Sequence, residues 1–196
     1  MSRVSQAEAK ANRERVVEAA SHLFREKGVA EVGIVDVMRS IGLTQGGFYK
    51  QFASKSALVD EATAKGLADN LQSLITLDQD AGEHKAAWNS LVDSYLSVEH
   101  RDNPGSGCPA AGFAGDVARQ PEHRKTYADG THELAAWIAP GDVGLAALAT
   151  LVGGILLARA TAGTHLSEQI LHAARVAVTE AVEGHQPDDS RMTTER

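Results

Sequence analysis

A single cysteine, Cys108, rules out an internal disulfide framework and fits a reducing compartment. Aromatic side chains make up only 5% of the chain, so a core dominated by large rings is not expected. Abundant alanine and glycine leave room for a cavity, and the glycines show no three-residue period, which excludes a collagen-like chain. No window of 18 residues is uninterruptedly apolar. The most apolar run, Leu145 to Leu157, contains Gly153 and Gly154 and is too short to cross a bilayer, so no membrane span is expected. No apolar segment follows the basic residues at the N-terminus, so no secretory signal is expected and a cytoplasmic location is. The strand alternation of period two is missing throughout, and no internal repeat stands out.

Charge of one sign is also lacking where it matters. The chain carries a net −7, but residues 1–66 hold ten Lys/Arg against eight Asp/Glu, a net of +2, while residues 67–196 hold nine against eighteen, a net of −9. Between Asp36 and Asp60 there is no acidic residue, and Arg39, Lys50 and Lys55 lie in that interval. An acid-free local surface matters more for contact with phosphate than the whole-chain sum.

Helical periodicity runs through the rest, and the fold class expected is all-α with about nine helices. Residues 1–10 are polar and expected to fray. Val16, Val17, Ala20, Leu23 and Phe24 recur at helical spacing in a first helix from about Asn12 to Lys27, closed by Gly28. Short second and third helices are expected from Gly33 to Gly42 and from Thr44 to Phe52. Ser54 caps a long fourth helix that dissolves near Leu77, and a fifth spans Lys85 to His100. Pro109 suits the first turn of a sixth, Pro121 opens a seventh, Asp142 caps an eighth, and Ser167 starts a ninth that fades at Gly184. The tail from His185 is polar and expected to be disordered. The organisation expected is an N-terminal unit over 1–55, a second unit over 56–184, and a tail over 185–196.

The second and third helices, with Gly42 in the turn between them, have the arrangement that sets a recognition helix into the major groove of DNA. Thr44 stands at the N-cap of the third. Gln45 can offer its amide to a base edge, where glutamine pairs well with adenine. Gly46 and Gly47 allow close backbone approach, and Tyr49, Lys50 and Lys55 suit phosphate contacts. Gly33 can cap the second helix and leave backbone N–H groups for a phosphate.

Gly28, Val37, Gly42, Leu43, Gly46, Phe48-Tyr49, Phe52, Ser54-Lys55 and Leu58 together resemble the N-terminal pattern of the TetR family of bacterial transcriptional repressors, over roughly residues 12–60. Gly107-Cys108-Pro109, Glu122, Tyr127 and the run Gly153 to Ala160 are similar to a common C-terminal type in that family. The resemblance implies a homodimer with a helix-turn-helix head, a ligand-binding body and double-stranded operator DNA as partner. It also implies that a small-molecule effector releases the DNA, and it supports Tyr49 and Lys55 as phosphate contacts. Two positions depart from the pattern: Val32-Gly33 replaces the usual hydroxyl residues at the second helix, and Met38 replaces alanine.

The implied dimer interface would draw on Leu148, Leu151, Val152, Ile155 and Leu156 of the eighth helix and Ile170, Leu171, Ala174 and Val178 of the ninth. Candidates for the effector pocket are Trp88, Tyr95, Phe113, Tyr127 and Trp137. Cys108 opens a helix, where backbone N–H groups favour a thiolate, and some sensors of reactive electrophiles in the family carry a cysteine in a similar Gly-Cys context. It reads either as a sensor or as a small buried hydrophobe. The eight histidines are scattered without metal-ligand spacing, so neither metal nor cofactor is expected. No Ser-His-Asp order, phosphate loop or dinucleotide fingerprint is present. The reading is a ligand-responsive repressor rather than an enzyme. A thiol enzyme using Cys108, or a dimeric module without DNA affinity, are the alternatives.

Overall fold

The computed structural model describes residues 6–184, and among these every regular element is helical. In chain order they are α1 (Gln6–Lys27), α2 (Ile34–Ser40), α3 (Gln45–Phe48), α4 (Lys55–Ala81), α5 (His84–Tyr95), α6 (Val98–Asp102), α7 (Pro109–Arg119), α8 (Arg124–Ile138), α9 (Gly141–Ala160) and α10 (His165–Glu183). Short 3-10 turns at Pro104–Ser106 and Pro121–His123 precede α7 and α8.

The all-helical expectation holds, with ten α-helices among the described residues rather than nine. The extra one arises because α5 stops at Tyr95. Leu96 leaves helical geometry, and the Ser97 hydroxyl accepts from His100 N at 3.1 Å, which starts α6. Helix α1 begins six residues earlier than expected, because Gln6 to Ala11 are good helix formers with Glu8 in the first turn. Asp142 lies inside the first turn of α9 rather than at its cap, which is Pro140. Ser167 is likewise inside α10. It is buried, donates to Ala158 O at 2.8 Å and accepts from Arg101. The expected disordered tail lies outside the described residues.

The apolar run Leu145 to Leu157 lies within the 20-residue helix α9, which has Asp142 and Arg159 near its ends and is long and apolar enough by length and composition to cross a bilayer. Its inner side is covered by α8 and α10, and a Cβ added at Gly154 would fall 2.7 Å from the Ala174 Cβ of α10.

Two apolar clusters fill the molecule. One joins α1, α2, α3 and the first turns of α4 to Phe113 and Val117 of α7, so the head's core continues past residue 55 into Leu58, Val59 and Ala62. The other lies among the later part of α4 and α5 to α10, and Tyr127 packs against both.

Candidate nucleic-acid interface and inner cavity

Gly42, at φ +73°, turns the chain between α2 and α3, a left-handed conformation that favours glycine. Gly33 is the N-cap of α2, and the Asp36 carboxylate accepts its N–H at 2.9 Å. That N–H is therefore already occupied. Val32 is buried in the head core. Met38 is buried in the head core, with Gly47 facing its methyl end.

Thr44 takes the N-cap position of α3 through its carbonyl, which accepts from Gly47 N at 3.0 Å, while its hydroxyl makes no cap bond and is exposed. Helix α3 is shorter than expected, and a turn carries the chain on from Tyr49 to Gln51. Phe48 and Phe52 stack in the core at a 5.2 Å centroid distance. Tyr49 stands edge-on to Phe48 but is 62% exposed, so it is not a core residue. Gln45, Gly46 and Lys50 are exposed on the same short segment.

Lys55 is placed differently. Its ammonium donates to Val29 O at 2.6 Å and lies 6.0 Å from the centre of the Phe24 ring. Asp116 of α7 accepts from Val29 N at 3.0 Å. Both backbone polar groups of Val29 are thus held, one by α4 and one by α7, which ties the turn after α1 to the body. Asp116→Ala leaves a buried N–H without its partner and is expected to cost about 1–3 kcal/mol, read as a lowered urea midpoint with an unchanged slope.

A cavity of about 920 Å³ lies between α1, α4, α5 and the segment from α6 to the start of α7, with α8 and α9 beneath. Exposed residues such as Asp69, Ser73 and Ser94 mark its mouth, and Leu74, Leu134, Ile138, Leu148 and Leu151 give it an apolar wall. Of the residues singled out from sequence for the pocket, Tyr95 and Cys108 line it, and so do Leu148 and Leu151, expected at the dimer interface. Trp88 and Phe113 are core, Tyr127 is turned to Ala110 O at 2.6 Å, and Trp137 donates to Asp78 at 2.7 Å. Ser21, Arg25, Gly66 and His100 also line the cavity, and a choice based on aromatic side chains misses them. A signal did exist: Ser21 interrupts the buried face of α1 formed by Val16, Val17, Ala20 and Phe24, and Arg25 follows one turn later.

Cys108 is the N-cap of α7 and only 6% exposed. Its N–H donates to His100 Nε2 at 3.0 Å, while His100 Nδ1 donates to Tyr95 O at 2.6 Å. The ring is thereby held neutral, in the tautomer protonated at Nδ1. The Tyr95 hydroxyl lies beside the Cys108 sulfur without meeting hydrogen-bond geometry and has no other partner. Burial first, and the neighbouring thiol second, push its phenol well above the ordinary range. Burial likewise pushes Tyr127 up to about 12.

Burial lowers the His100 pKa, and the Arg159 charge adds to this against the opposing bond to Tyr95 O. The native state therefore binds fewer protons than the unfolded chain over that range. The stabilisation is complete above the unfolded histidine value of about 6.5 and is lost as pH falls from there through the lowered native value. His100→Gln is expected to flatten the fall of melting temperature with acidification, as followed by circular dichroism from neutral to mildly acid pH.

The outer faces of α9 and α10 remain apolar. Leu145, Leu156, Leu157, Leu166 and Val176 are exposed, while Leu151, Ile155, Leu171 and Val178 are buried within the protomer. Leu148, Val152, Ile170 and Ala174 are half-buried. No group of three metal-ligating side chains converges among the described residues.

Residues 16–62 match the family model described as bacterial regulatory proteins, tetR family. The chain is 38% identical over 69 residues to the uncharacterized HTH-type transcriptional regulator YvdT of Bacillus subtilis, covering 35% of this chain and 32% of that one. It is 29% identical over 102 residues to the uncharacterized HTH-type transcriptional regulator TtgW of Pseudomonas putida, covering 51% and 72%. The matched stretch spans about a third of the length of YvdT and of a second Bacillus relative, YfiR. Over nearly the whole chain the fold is that of a TetR-family regulator from Cytophaga hutchinsonii, with TM-score 0.74 at 18% identity and coverage of 93% and 98%. The reduced form of Escherichia coli NemR superposes with TM-score 0.71, also at 18% identity, covering 87% and 97%. The segment 16–62 thus matches the N-terminal model of the tetR family of bacterial regulatory proteins, and over nearly its whole length the chain has the fold seen in TetR-family regulators.

Proposed function

We propose that the protein is a transcriptional repressor that binds a pseudo-palindromic operator as a homodimer in the cytoplasm and is released by a small molecule entering the inner cavity. The observation that carries the reading is the exposed set Gln45, Tyr49 and Lys50 on a short helix and the turn after it, anchored in the head's core by Phe48, with Thr44 and the glycines Gly46 and Gly47 beside it. The cavity is lined by α1, which belongs to the head, and by the start of α7, which holds Val29. A ligand that prefers one arrangement of these helices shifts the DNA-binding equilibrium by its differential affinity.

The dimer would use the outer stripe of α9 and α10. Leu145 and Leu156 are about three helical turns apart and share a line with Val152, and a Cβ at the adjoining Gly153 would meet nothing within 4 Å. An apolar stripe of this kind on a single protomer marks an association surface. Leu156→Glu is expected to give a monomer at micromolar concentration in sedimentation equilibrium. A dimer unchanged by that substitution would place the interface elsewhere.

Modification of Cys108 is a second route to release, since the thiol lines the cavity. A thiol enzyme is less well supported, because both nitrogens of His100 are occupied by backbone groups and leave no imidazole base for the sulfur. The test is fluorescence anisotropy with DNA from upstream of the chain's own coding sequence, using wild type and Cys108→Ser before and after one equivalent of a small electrophile. Release of the treated wild type alone supports the thiol as sensor. Binding that persists in both supports a non-covalent ligand, and failure of either to bind any DNA overturns the repressor reading.

A further inference from the structure

Resting on the cavity reading above, we propose that this cavity takes an amphipathic carboxylate, with the anionic head group at Arg25 and a medium-length apolar tail directed along α4 toward Ile138. Three observations lead there. First, the guanidinium of Arg25 is half-buried at the cavity wall and donates only to backbone carbonyls, of Ser21 and Gly107, with no carboxylate in ion-pair distance among the described residues. Arg159, equally without a carboxylate partner, donates to the carbonyls of His100 and Arg101 close behind Gly107. With only the more distant carboxylate of Asp69 acting on it, the Arg25 charge at the cavity wall, backed by Arg159, favours an anion there.

Second, the hydroxyls of Tyr95 and Ser21 are both more than nine-tenths buried, line the same cavity and have no hydrogen-bond partner. Buried polar groups are costly until paired, and a carboxylate beside Arg25 offers acceptor lone pairs to hydroxyl donors. Third, Gly66 of α4 packs against Ser21 at this end, while Leu74, eight residues on, lies about 12 Å further along the same helix. There Leu134, Ile138 and Leu151 complete an apolar wall. The acidic residues on the lining, Glu18, Asp69, Asp93 and Glu99, are all exposed at the mouth, and two are already paired, Asp69 with Lys65 and Asp93 with Arg175.

The test is isothermal titration of the full chain at neutral pH with decanoate, decanol and decyltrimethylammonium, each below its micelle concentration. Decanoate is expected to bind about tenfold or more tightly than either of the others. Arg25→Gln is expected to remove that preference while leaving decanol affinity unchanged. Equal affinity for the three, a preference for the cation, no binding of decanoate, or a preference that survives Arg25→Gln overturns the proposal. Should Arg25→Gln not fold by circular dichroism, Tyr95→Phe decides: a reduced decanoate-to-decanol ratio supports the proposal and an unchanged one overturns it. No DNA enters this experiment, so its outcome is separate from that of operator binding. Release of operator by decanoate is a second measurement bearing on the repressor reading.

Discussion

Replacing Gly144 by alanine is expected to unfold the protein or lower its stability by more than about 3 kcal/mol. Gly144 sits in the first turn of α9, where the chain returns against the C-terminal end of α8. A methyl group there falls on the carbonyl oxygens of Ala135 and Ala139. These are backbone atoms, so no rotamer change relieves the overlap. Only Ala139 and Pro140 join the two helices, and the connection has no slack for α9 to move away. Native domains are stable by about 5–15 kcal/mol, so such a loss consumes a large share of the total. The control is Gly115→Ala in α7, where the added atom meets only the mobile end of Arg119 at 3.6 Å. There alanine is expected to gain up to about 1 kcal/mol from helix propensity. Urea unfolding of the two variants side by side measures the contrast. Similar midpoints would mean that α8 and α9 do not approach as closely as described.

The second large effect concerns DNA. In the proposed two-fold dimer every contact is made twice, so Gln45→Ala is expected to lose about 1–3 kcal/mol at each half-site and to weaken a full palindrome by up to several orders of magnitude. The loss should be confined to operators carrying the base pair that Gln45 reads. Lys50→Ala, if it removes a phosphate contact, weakens all sequences and lowers the salt slope by about one unit per half-site. Anisotropy against a library of operator variants at several salt concentrations separates the two. Uniform weakening by Gln45→Ala would remove its assignment as a base reader. Lys55→Met belongs in the same series. Its ammonium donates to Val29 O and keeps two further donors, so a lowered unfolding midpoint is expected from the lost bond, and a lowered salt slope as well if it also meets phosphate.

Much of this molecule is written in local chemistry. The period of Val16, Val17, Ala20 and Phe24, the left-handed glycines at 28 and 42, the Ser54 hydroxyl accepting from Ala57 N at 3.0 Å, and Pro109 in the first turn of α7 each act within a few residues. Such signals place the helices and expose Gln45, Tyr49 and Lys50 on the outside of the head, because a helix's own sequence shows which of its sides is apolar. It does not show which neighbour covers that side. Leu151, Ile155, Leu171 and Val178 belong to apolar stripes that the sequence alone assigns to a dimer interface, yet α9 and α10 cover them within one protomer. Lys55 has the charge and position for phosphate, and only the fold shows that it also reaches Val29 O.

The cavity was the least legible feature of all. It is a space between residues as distant in sequence as Ser21 and Leu151, and no local pattern encodes an empty volume. The all-helical fold and the exposure of Gln45, Tyr49 and Lys50 on the head were therefore determined by the sequence itself, through turn chemistry and periodicity. The clamp on Val29, the pairing of His100 with Cys108 and the placement of Arg25 on backbone carbonyls were decided by tertiary packing, because each depends on which distant groups are brought into contact.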